Sequence, residues 1–158
     1  MRFPLCAALL ALTVPAWTQD PPAPAVDRVG FPEGYRERYK VLRTSEQPEK
    51  QQVKVIYGNE PAASQSQGAF ADGSVLAMET TQKGAVTGLH VMRKQKGFGE
   101  AYGPNRTGEW EYVEYRPDRS YLTTPQKSFA CAACHLKAGA EKDFVYDAGR
   151  GSASPAKR

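Results

Sequence analysis

Histidine and cysteine are scarce in this chain: two histidines and three cysteines among 158 residues. One cysteine, Cys6, lies inside an apolar leader, which leaves only Cys131 and Cys134 for the folded part. No disulfide framework can be built from that pair. A structural zinc site wants four Cys or His ligands, and here adjacent Cys134 and His135 would have to share one metal with Cys131 and His90. A thioredoxin-like redox pair would sit near a β-α-β pattern, and none is present. Long hydrophobic runs are missing as well. The longest, Phe3 to Trp17, falls short of the roughly 20 residues of a membrane span. There are no repeats, no coiled-coil heptads and no nucleic-acid motif. Charge of one sign is also lacking. The 21 Lys and Arg outnumber the 17 Asp and Glu by only four, and their scatter reads as a solvated surface.

What is present is Cys131-Ala132-Ala133-Cys134-His135, a C-x-x-C-H run. Thiols at i and i+3 share one face of a helical turn, where each can add to a porphyrin vinyl group, and the next imidazole then lies beneath the iron. The run therefore predicts one covalent haem c, with Cys131 and Cys134 as thioethers and His135 as the iron ligand. Thr124-Pro125 upstream supplies an N-cap and a proline for the first helical position, so the attachment helix is expected from there to about Lys137.

The remaining segments divide the chain. Residues 1–16, with Arg2, an apolar run and Val14-Pro15-Ala16, read as an export signal. Haem attachment outside the bacterial cytoplasm agrees with it, and a periplasmic location is expected. Residues 17–30 are a proline-rich linker, 31–147 a single haem-binding domain, and 148–158 a small, polar, disordered tail. A short helix is expected at Pro32 to Tyr39. Strands are expected at Val53 to Tyr57, Val75 to Thr81, Gly88 to Gln95 and Trp110 to Tyr115, and a mobile loop at Gly97 to Pro104. The fold class is α+β and β-rich: a mainly antiparallel sheet with a short N-terminal helix and a C-terminal haem-attachment helix.

Several of these stretches, in their order, carry a resemblance. Phe31-Pro32-Glu33-Gly34-Tyr35-Arg36, Phe70-Ala71-Asp72-Gly73-Ser74-Val75, Gly88-Leu89, Gly108-Glu109-Trp110, the haem motif and Asp143-Phe144-Val145-Tyr146 resemble the cytochrome P-460 and cytochrome c′-beta family over residues 31 to 147. The resemblance implies a periplasmic antiparallel-sheet protein, a homodimer, and one five-coordinate haem with an open distal face for nitric oxide or another small nitrogen species. It also implies a porphyrin-bonded lysine in the hydroxylamine-oxidising members. The matching position here is Met78, and Lys83 lies beyond the strand's expected end. The stretch Leu122 to Ala130 holds no distal carboxylate. Both departures count against hydroxylamine oxidation. In the c′-beta proteins a phenylalanine near the Asp-Gly turn caps the iron, and Phe70 stands there.

Alternatives stay open at this level. Met78 and Met92 can fill core space, or one can be a sixth ligand, and His90 on the face of Met92 can be a second axial histidine. Such a six-coordinate haem would make an electron carrier with a periplasmic redox partner. Phe70, Phe98, Tyr102, Trp110 and Tyr112 can wall the distal face or simply form core.

Overall fold

The computed structural model describes residues 27–146. The expected export signal, most of the linker and the tail lie outside the described residues. Within them, α1 is Tyr35–Arg38, β1 Lys40–Gln47, β2 Gln52–Gly58, α2 Glu60–Ala63, β3 Val75–Gln82, β4 Ala85–Lys94, β5 Trp110–Tyr115 and α3 Pro125–Leu136. The strands form one antiparallel sheet in the order β1-β2-β3-β4-β5, each beside its sequence neighbour. The α+β, β-rich reading holds.

Three of the four expected strands lie close to where alternation puts them, and β4 reaches back to Ala85, just past the Lys83-Gly84 turn. Both turn residues have positive φ, 51° and 79°, the conformation that a two-residue hairpin needs. This places Lys83 in the turn. β1 has no counterpart among the expected strands. It is an edge strand with a register shift between Val41 and Arg43, so its exposed and half-buried residues do not alternate cleanly.

The sheet has two unlike faces. On the back, Val75, Ala77, Leu89, Val91, Val113 and Tyr115 pack under Val29, Phe31 and Tyr35. The end of the expected linker is thus part of the domain: Val29 is buried, Arg28 pairs with Glu111, and Asp27 accepts a bond from the Tyr115 hydroxyl at 2.5 Å. Glu79, buried in mid-strand, is matched by the Tyr35 hydroxyl and by Arg36 Nε at 2.8 Å. Such partners are what allow a carboxylate inside a sheet.

On the front, Leu76, Met92, Trp110 and Tyr112 pack with Phe70, Tyr102, Ala132 and Val145. The expected mobile loop is instead a packed 3₁₀ segment, Phe98–Asn105, with Phe98 and Tyr102 buried. One of its glycines serves close approach. A Cβ on Gly99 would lie 1.8 Å from the Gly108 carbonyl oxygen.

Buried phenols make the fold sensitive to alkali. Burial raises Tyr102 to about 12, and raises Tyr35 and Tyr115, the latter two also through their bonds to Glu79 and Asp27. In the unfolded chain these groups ionise near about 10. The unfolded state therefore loses protons first, so the stability they allow is complete below about pH 10 and falls as pH rises beyond it. Urea midpoints measured at stepped pH are expected to stay level to about 10 and then drop. A midpoint level to about pH 12 would mean that these phenols are not buried.

Candidate functional site

The front face of the sheet and α3 enclose an open cavity of about 430 Å³. Its sheet wall follows from strand alternation and register. Ile56, Met78, His90 and Glu114 lie side by side across β2 to β5, and Leu76, Met92 and Tyr112 form the next row. Of these all but Glu114 line the cavity, together with Lys54, Val145 and Tyr146. The volume lies within the range of small-molecule and cofactor sites, roughly 300–1,000 Å³.

The other wall is α3. Thr124 caps it, accepting from Lys127 N at 3.3 Å, and Pro125 is its first residue. Helical spacing turns Cys131, Cys134 and His135 toward the cavity, which all three line. Cys131 is half-buried against the front core and Cys134 is exposed. Burial pushes the Cys131 thiol up, the opposite of the depressed thiol that a redox C-x-x-C pair uses. Among the described residues no three Cys, His, Asp or Glu side chains gather around a metal position.

His135 is held from the far side of its ring. Its Nδ1 lies 2.8 Å from the carbonyl oxygen of Phe144, an acceptor, so Nδ1 carries the proton and Nε2 keeps its lone pair. Burial lowers the pKa of His135 and this bond opposes it, which leaves a neutral imidazole suited to a metal. The Tyr112 ring packs at 4.6 Å between centroids and that of Tyr146 at 5.5 Å. The carbonyl is presented by two successive residues with positive φ, Asp143 at 53° and Phe144 at 59°. Left-handed backbone costs a non-glycine residue about 1–2 kcal/mol, so something must enforce it.

The family model described as Cytochrome P460 matches residues 32–147. The chain belongs to the cytochrome P460 family. No curated protein matches it. Membership implies a haem, and the cavity fits one: a single imidazole with a free Nε2, two thiols at i and i+3, and walls that are mostly apolar. No helix among the described residues is long and apolar enough to cross a membrane.

Of the residues singled out from the sequence, Cys131, Cys134, His135 and Met78 meet in this cavity, and Met92 and His90 line it too. Phe70 does not. It is buried in the front core, its ring edge-on to Trp110 at 5.5 Å and its N–H bonded to Asp143 Oδ2 at 2.9 Å. The loop before β3 is pinned to the segment after α3, and the ring packs in the front core beside the residues that line the cavity. Phe98 packs behind the sheet, and Tyr102 bonds Ser128 at 2.7 Å. Tyr112 does border the cavity, but against His135. Aliphatic and thioether side chains, Ile56, Leu76, Met78 and Met92, make most of the sheet wall. His90 sits exposed at the rim, Nε2 3.8 Å from Glu114. Sequence reading passed over Lys54, Ile56 and the Phe144 carbonyl. For the first two the signal existed, since alternation in β2 puts both on the face of Met78.

Proposed function

We propose that this cytochrome P460 family protein is a periplasmic mono-haem c-type cytochrome whose open side binds nitric oxide or a related small nitrogen species. Cys131 and Cys134 hold the haem as thioethers and His135 ligates its iron. The observation that carries the reading is the convergence of both thiols and an Nδ1-protonated imidazole on one largely apolar cavity. When bound, the haem supplies an iron that coordinates neutral diatomic ligands. The chain's own residues orient the ligating nitrogen, and the wall of Ile56, Leu76, Met78 and Met92 disfavours water and charged ligands there.

With Met78 where the hydroxylamine-oxidising relatives carry a lysine, no amine reaches the porphyrin edge from that strand position. Hydroxylamine turnover is accordingly the weaker alternative. A six-coordinate electron carrier is the second reading, supported by Met78, Met92 and His90 all lining the cavity. The test is the optical spectrum of the reduced holoprotein before and after nitric oxide, and separately carbon monoxide. A high-spin spectrum converted by both gases is expected. Failure to bind either gas would end the proposal, and a low-spin starting spectrum that reverts on Met78→Ala, Met92→Ala or His90→Ala would establish the electron carrier.

A further inference from the structure

We infer that Asp143 is a positioning residue for the iron ligand, setting the strength of the His135 Nδ1–H bond through the backbone carbonyl of Phe144, with Lys94 as its counter-charge. The inference rests on the proposed ligation of iron by His135. Its ground is a set of contacts converging on two residues of left-handed backbone that are otherwise unfavourable. The Asp143 carboxylate oxygen Oδ2 accepts from Phe70 N at 2.9 Å and from Lys94 Nζ at 2.7 Å. The Asp143 carbonyl accepts from Trp110 Nε1 at 3.0 Å. Asp143 N and Phe144 N donate to Ala140 and Gly139, each at 2.9 Å. Val145 follows, buried in the front core.

The ion pair is itself inside the protein, with side-chain exposures of 13% for Lys94 and 8% for Asp143. Burial makes such a pair stiff, because separating it would strand a charge away from water. Asp143 thus joins the end of β4, the loop before β3 and the indole of β5 to the peptide whose oxygen meets His135. A ligating histidine's far nitrogen is where the protein controls ring orientation and basicity. Here the acceptor is a neutral carbonyl, and its aim depends on residues remote in sequence. Removing the clamp lets the carbonyl swing, weakens the Nδ1–H bond, and leaves a poorer donor to ferric iron.

The test compares holoprotein with Asp143→Asn and Lys94→Met variants, reading the ferric/ferrous midpoint potential and the iron–histidine stretch of the reduced protein by resonance Raman. In both variants the stretch is expected to move to lower frequency. The redox equilibrium is expected to shift by about tenfold toward ferrous iron, about 59 mV for one electron. Lys94→Met leaves the Phe70 and Trp110 bonds to Asp143 intact, so it carries the test if Asp143→Asn does not fold. A stretch and a potential both unchanged in folded, haem-loaded variants would overturn the inference. Absence of an iron–histidine stretch in an unmodified protein whose reduced spectrum is high-spin would instead overturn His135 as ligand, which separates the two failures.

Discussion

A chain carrying both Cys131→Ala and Cys134→Ala is expected to give up its haem completely to acidified organic solvent, whereas the unmodified holoprotein gives up none. Both thiols stand on one face of α3 beside the cavity, so each single variant should keep one covalent bond and resist extraction. Its pyridine haemochrome should then show one vinyl group restored. The double variant retains only His135 and the apolar walls, contacts that acid and solvent abolish together. Haem content after extraction is the measurement. Haem that stays with the double variant would reveal a further covalent bond. Met78 would be the first side chain to replace, because it is the wall residue at the position where the family resemblance implies a cross-linking lysine.

Trp110→Ala should be the costliest single change in the core. Trp110 is fully buried, packs edge-on with Phe70 and donates Nε1–H to the Asp143 carbonyl. Truncating such a ring costs about 3–5 kcal/mol, and an orphaned buried carbonyl adds about 1–3 kcal/mol. Against a typical total of about 5–15 kcal/mol, the loss takes much of the available stability. With a urea slope of about 2 kcal/mol/M, the midpoint should fall by at least about 2 M. Trp110→Phe, which keeps a ring and loses the donor, should lie between the two. A midpoint unchanged in Trp110→Ala would mean that the front core does not depend on the indole.

The two experiments probe different levels of the same arrangement. The cysteines act through local helical spacing, and the tryptophan through contacts among β5, the loop before β3 and the segment after α3. The Asp143 clamp depends on the second level. Part of the stability lost in Trp110→Ala would come from the same peptide that aims the Phe144 carbonyl at His135. Some loosening of His135, the proposed iron ligand, should therefore accompany it.

What the sequence by itself determined is whatever depends on near neighbours. Thr124 and Pro125 start a helix that carries Cys131, Cys134 and His135 on one face, because capping and the 3.6-residue period act within a few residues. Period-two alternation put Met78 with Leu76, and His90 with Met92, on a common face, and the register of β3 with β4 leaves all four lining one cavity. Edge strand β1 escaped because its bulge breaks the period. The three glycines of 97–103 suggested mobility, although one of them marks a close approach to Gly108. The packing of Phe70 in the front core was not legible, because its motif position says nothing of Asp143, its hydrogen-bond partner 73 residues away. Only the tertiary structure decided that Arg28 would meet Glu111 across 83 positions and make the linker's end part of the domain. It alone decided that Phe144 would turn its carbonyl to His135. A backbone oxygen has no side chain to announce it, and Lys94, Trp110 and Phe70, which hold the preceding residue Asp143, reach that residue only when the sheet is assembled.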